Sequence, residues 1–198
     1  DIQPAQTVGM QVIAVEPMAD DPLYEVRRCL DEPGWFELSV PPHLKPEMIE
    51  PEMRGNLGAL YGTLEGVKPH FWLQHSIPNE WSLIQIVCHL LASEHEVQFP
   101  RLLRIRDEDN PFLQNAPTPP DPEHFKPCGE DGWNVVAQFV EARQRTLQWL
   151  GQLKPNEWSR RARHSTFGLT TLLEMAHFTA QHDRLHINQI CQTLGRCE

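Results

Sequence analysis

The sequence predicts an all-α fold, an up-down four-helix bundle carrying an irregular N-terminal extension. Three observations predict it. Apolar residues recur at three- and four-residue spacing through four long segments after Ile49. Connections rich in proline or glycine separate these segments. The first 47 residues follow a different pattern.

Residues 1–47 form the predicted extension, in which 8–15 and 35–40 are short, partly alternating apolar stretches bounded by Pro, Gly and Asp. Such stretches predict short strands or irregular structure. The bundle domain spans 48–198. Its first helix is expected over about 49–67, where Met53, Leu57, Leu60, Leu64 and Val67 mark one buried face. Gly55, Gly58, Gly62 and Gly66 weaken this helix and would let a neighbouring helix come close. The second runs from Ser82 to about Asp107, with Pro100 expected to kink or break it. A long proline-rich loop over 110–132 leads to the third, about 133–153, which Pro155 helps to end. The fourth is expected to begin near Gly168 and Leu169 and to reach Leu194, with Gly195 terminating it.

Composition narrows the function classes. The hydrophobic share of 40% and charged share of 22% are those of an ordinary globular protein. A net charge of −10 argues against a general nucleic-acid binder, which needs clustered Lys and Arg. The short run Arg160-Arg161-Ala162-Arg163 reads as a solvated turn between helices. No apolar run is long enough to cross a membrane, and no segment has the layout of a signal peptide. The sequence begins at Asp1, so the presence of an earlier leader stays open. Five cysteines (Cys29, Cys88, Cys128, Cys191, Cys197) without CxxC spacing do not suggest a disulfide framework or a thiolate zinc site. They suggest a reducing cytoplasm, with Cys88 and Cys191 as packing residues.

Drawn as wheels at ~100° per residue, two helices carry histidines at the edge of their apolar arcs. His182 and His186 stand four residues apart on the last helix, one turn from each other, so both rings can address one ion. His89 holds the corresponding edge position on the second helix, in the run Val87-Cys88-His89-Leu90-Leu91. Taken singly, each also suits a hydrogen-bonded histidine at the core boundary. His177 and His95 point elsewhere. Charged residues fall inside the arcs as well: Glu94, with Arg101 seven residues on, Arg143 in the third helix and Asp183 in the fourth. Buried charge must be paired, so these groups should meet one another or the shell of a metal. One reading is an interhelical salt-bridge network. The sharper one makes Asp183 or Glu94 a candidate catalytic group, orienting a ligand histidine or acting as acid or base beside the ion.

Several runs together resemble the DinB/YfiT-like superfamily of metal-binding bundles. They are Glu80-Trp81-Ser82, the stretch from Val87 to Glu94, Arg101-Leu102-Leu103-Arg104-Ile105, Asp109-Asn110-Pro111, His164-Ser165-Thr166-Phe167-Gly168, and His182-Asp183-Arg184-Leu185-His186-Ile187-Asn188-Gln189-Ile190. The resemblance covers about 48–194. It implies a four-helix bundle with a divalent metal held by three histidines, which here are His89, His182 and His186. Three nitrogen ligands leave coordination positions open, as a catalytic site requires, and suit zinc, nickel or iron.

The resemblance implies two enzymatic readings and one other. A metal-dependent transferase would bind a low-molecular-weight thiol as thiolate, and a hydrolase would use the ion to activate water and polarise a carbonyl. The non-catalytic reading is a stress-associated, metal-binding dimeric bundle. The expected partner is a small-molecule substrate rather than nucleic acid or membrane. A homodimer is compatible with such bundles, though no apolar stripe outside the core fixes one here.

Overall fold

The computed structural model describes residues 44–196. The strands expected over 8–15 and 35–40 lie outside the described residues, as do Cys29 and Cys197. Helix α1 spans Pro46–Leu64 and turns Ile49, Met53, Leu60 and Leu64 into the core. Its glycines do not serve close packing. A side chain added at Gly55, Gly58 or Gly62 would meet nothing within 4 Å, because all three lie on the exposed side of the helix. The close approach occurs instead at Gly132, where a Cβ would stand 2.1 Å from the Trp72 ring. That tryptophan belongs to a short 3-10 turn, Pro69–Leu73, which leads away from α1.

Helix α2, Leu83–Ser93, is entered through Ser82, whose backbone N–H donates to Gln85 Oε1 at 2.9 Å. A π-helical turn, Glu94–Gln98, joins it to α3, Phe99–Asp107. Pro100 explains the turn. Proline has no N–H to continue the α ladder, and its ring crowds the carbonyl four residues earlier. The chain widens one turn ahead of it, and Phe99 N–H bonds Glu94 O. The rod therefore continues past the proline with its phase shifted, and both Glu94 and Gln98 point inward.

Helix α4, Gly132–Leu150, is capped by Asp131, which accepts from Trp133 N–H and Asn134 N–H. Helix α5, Leu172–Leu194, starts from a reciprocal capping box between Thr171 and Glu174. It begins later than Gly168, the expected start. Three short strands precede or flank it: β1 (Phe112–Leu113), β2 (Arg161–His164) and β3 (Gly168–Thr171). They form one sheet in the order β1-β2-β3, parallel then antiparallel. Gly168, at a φ of +72°, makes the tight turn between β2 and β3 possible. From Arg161 onward the basic run is thus the central strand of this sheet rather than a solvated turn. Ala162 and His164 face inward while Arg161 and Arg163 face out. Leu169, expected in the last helix's apolar arc, is 79% exposed because it lies in β3 instead.

Packing places α1 against α5 and α4, α2 against α4 and α5, and α3 against α5. Asn56 Nδ2 donates to Ala180 O at 2.8 Å, pinning α1 to α5. The core between these helices is built from residues such as Leu60, Leu83, Ile86, Leu90, Val136, Phe139 and Ile190. No helix among the described residues is long and apolar enough to cross a membrane.

One expectation fails at the cysteines. Cys88 and Cys128 form a disulfide, which ties α2 to the long loop before α4. Cys191 is free and exposed, not packed in the core. Spacing along the chain could not show this pairing, because the partners are 40 residues apart and meet only after the loop folds back.

Candidate metal centre

Helices α2 and α5 cross so that His89, His182 and His186 face one another. One ring nitrogen from each lies within 4.8 Å of the others. His89 Nε2 and His182 Nε2 are 3.3 Å apart. Two nitrogens bound tetrahedrally to zinc, at about 2.0–2.1 Å each, stand about 3.3–3.4 Å apart. The spacing therefore fits a shared ion. The ring centroids are 4.6 Å apart for His89–His186 and for His182–His186, so His186 completes the group.

The electrostatics favour neutral rings. Burial, with a contribution from His186, lowers the His89 pKa to about 4. Burial first, and then His186, His89, Arg143 and Arg101, lowers that of His182 to about 3. Burial also lowers His186, against an opposing hydrogen bond from Gln189. Three adjacent imidazoles that resist protonation present lone pairs, which is what a cation needs.

His186 has its tautomer fixed. Its Nδ1 is 2.9 Å from Gln189 Oε1, an acceptor, so Nδ1 carries the proton and Nε2 keeps its lone pair. The amide orientation follows from the other end of Gln189, whose Nε2 donates to Glu80 Oε2 at 3.4 Å. Neither Gln189 nor Glu80 was singled out for this task by periodicity, since both lie outside the apolar arcs. A hydrogen-bonding residue three positions from a ligand histidine was the available signal.

Trp81 forms a wall. Its ring lies 4.9 Å from His89 and stacks at 6.2 Å on His186. Phe125 from the long loop packs edge-on against it at 5.1 Å, and Trp81 Nε1 donates to Pro120 O. Gln85 holds the same loop through Pro122 O and Phe125 O, at 2.8 and 2.7 Å. The loop is thus fastened by hydrogen bonds and a disulfide beside the histidines.

The two candidate carboxylates meet elsewhere. Glu94 and Asp183 flank Arg143, with Glu94 Oε2 2.8 Å from Nη1 and Asp183 Oδ1 2.8 Å from Nη2. The Glu94 contact is an ion pair by distance, though its angles do not make an aligned hydrogen bond. Thr146 Oγ1 donates to the other oxygen of Glu94. All three charged side chains are buried. Burial pushes the Asp183 carboxyl up to about 7, against the pull of Arg143. Among the described residues, neither carboxylate hydrogen-bonds a ligand histidine. Of the two expectations for these buried charges, that they meet one another or the shell of a metal, Glu94, Arg143 and Asp183 follow the first. Arg101 does not join them: it lies beyond the π turn and donates to Gln114 O instead.

The remaining histidines are accounted for separately. His177 pairs with Glu52 across α1 and α5 at 3.1 Å, and His95 faces Arg145. An open hollow of about 500 Å³, lined by Pro46, Glu50, Arg54, Leu150 and Trp158 among others, shares no residue with the histidine trio.

Residues 53–190 match the sequence model of the DinB superfamily. Among solved structures, the fold is similar to that of YfiT from Bacillus subtilis, with a TM-score of 0.61 and 18% sequence identity. The match covers 77% of this chain and 89% of that one. That protein is described as "a probable metal-dependent hydrolase with an unusual four-helix bundle topology". No curated protein matches the sequence at a significant level.

Proposed function

The chain belongs to the DinB superfamily, and from that premise we propose that it is a metal-dependent enzyme whose centre is His89, His182 and His186. The observation that carries the reading is the convergence of three imidazoles of lowered pKa, two of them with Nε2 atoms 3.3 Å apart. Their donor set suits zinc, nickel or iron. When bound, such an ion supplies Lewis acidity, polarising an oxygen of the substrate and lowering the pKa of a water or thiol.

The protein's own residues supply position and shielding. Gln189 holds the His186 ring with Nε2 toward the centre. Trp81 and Phe125 exclude water from one side. Glu94 and Asp183, held by Arg143, set the relative placement of α2, α4 and α5 rather than moving protons at the reacting atoms. Hydrolysis of a small substrate is the preferred reaction, because the structural neighbour is described in those terms. Transfer to a low-molecular-weight thiol needs the same three ligands and is the second reading. A non-catalytic, dimeric metal-binding bundle is the third.

Metal analysis of protein purified without a histidine tag tests the premise. His89→Ala, His182→Ala and His186→Ala should each lose the bound metal, whereas His177→Ala should keep it. Equal retention in all four would refute the assignment. A cobalt-substituted sample then separates the reactions. A spectral change on adding a thiol favours transfer, and turnover of an ester or amide panel without one favours hydrolysis.

A further inference from the structure

We propose that Arg101 and His164 form an oxyanion site beside the metal centre, so that the substrate is an acid bearing a carboxylate or phosphoryl group. The proposal deepens the metal-dependent reading and rests on it for the reaction, but not for the binding.

His164 supplies the first observation. It lies on β2 with only 5% of its surface exposed. Its Nδ1 accepts from Thr166 N–H at 3.1 Å and from Phe167 N–H at 3.5 Å. A neutral imidazole whose Nδ1 accepts must carry its proton on Nε2. That Nε2–H is buried and has no acceptor among the described residues. Buried N–H groups rarely go unpaired, since desolvation without a partner is costly. Phe167 stacks on the ring at 4.5 Å and holds it in place.

Arg101 supplies the second. It is half-buried near the start of α3, and it spends one N–H on the carbonyl of Gln114. Among the described residues it has no carboxylate partner, which it shares with the exposed Arg161, Arg163, Arg184 and Arg196 and with Arg160, whose guanidinium is held by the carbonyls of Ile105 and Glu108. Unlike those exposed arginines it is half-buried, and its planar fork matches carboxylate and phosphoryl oxygens.

The fold brings the two together. Gln114 follows Leu113, which pairs with His164 across β1 and β2. The charge of Arg101 reaches the His164 ring, since after burial it helps to hold down the His164 pKa. A cation and a neutral N–H donor suit an oxyanion and repel a metal or an ammonium group. Phe167, stacked on His164, also packs at 4.8 Å against Phe178, which lies one turn ahead of His182 on α5, so such an anion would sit toward the proposed reaction centre.

The test uses the full chain, stripped of metal with phenanthroline and, in parallel, reloaded with zinc. Each form is titrated with acetate and with inorganic phosphate at constant ionic strength in chloride, and the His164 imidazole is followed by ¹⁵N NMR. A saturable shift is expected in both forms, with at least tenfold weaker binding in Arg101→Gln and unchanged zinc content in that variant. Tighter acetate binding identifies a carboxylate substrate, and tighter phosphate binding a phosphoryl one. A wild-type shift no different from that of chloride overturns the proposal whether or not the variant folds. Binding undiminished in Arg101→Gln overturns it as well. Oxyanion binding in a protein that takes up no zinc would instead sink the metal reading and leave this one standing.

Discussion

Two clusters of polar side chains sit on the same two helices, within a turn or two of each other, and they are built on opposite logic. His89 and Glu94 belong to one continuous rod, and His182 and Asp183 are neighbours in α5. Around Arg143 both carboxylates meet a guanidinium, so that cluster is held by opposite charges. Among the described residues the three histidines meet one another, Gln189 and the face of Trp81, so that cluster stays open to a cation. Buried groups of opposite charge specify how helices dock. Buried groups that all donate lone pairs wait for something else. The π turn makes the division possible, because it keeps Glu94 pointing inward on a helix that already turns His89 toward α5.

Breaking the Arg143 cluster should have the largest effect. Arg143→Ala leaves two buried carboxylates without their counter-charge and should cost about 3–5 kcal/mol of stability by urea denaturation. A loss under about 1 kcal/mol would mean that the carboxylates simply take up protons and the cluster does not fix the docking. The matching change at the open cluster is gentler. Gln189→Ala should leave the fold intact and weaken metal binding about 10–100-fold, which competition with a chromophoric chelator would measure. Unchanged affinity would show that His186 needs no partner to hold its tautomer.

The smallest effect is a pH slope in the metal-free protein. His89 and His182 have folded pKa values of about 4 and about 3, below the usual 6.5. As pH falls, the unfolded chain therefore takes up these protons first. Their contribution to stability is fully present above pH 6.5, is lost progressively as pH falls below it, and has gone once pH has passed the folded values of about 4 and about 3. Urea midpoints at pH 7 and pH 5 should consequently drop more for the wild type than for His182→Gln. Identical drops in the two proteins would remove the histidines from the account.

Much of this contrast was legible in the sequence. Helical periodicity places His89, His182 and His186 at arc edges and Glu94, Arg143 and Asp183 within arcs, and the structure keeps that distinction as half-buried against fully buried. Periodicity says which face a residue takes, but not which partner it finds there. It could not tell that Arg143 would claim both carboxylates, nor that Gln189 would serve His186. The strand Arg161–His164 was hidden because only Ala162 and His164 of its four residues face inward, too short a pattern to read as alternation. Arg101 was misplaced by the extra residue of the π turn, which moves everything after it around the helix. Gly132 was read as the end of a loop, and its need for a bare Cα follows only from where Trp72 folds.

The Cys88–Cys128 bond makes a ring of the chain, with a sequence separation of 40 residues between its ends. That ring contains His89, the π turn, α3, β1 and the Phe125 that walls the site. Stretched from its termini, the oxidised chain would hide this length, about 130–145 Å of contour at about 3.3–3.6 Å per residue. Even a fully unravelled oxidised molecule keeps His89 one residue from a covalent link to the loop that covers it. The ligand and its cover therefore begin refolding as neighbours, while His182 and His186 must be brought in from outside the ring.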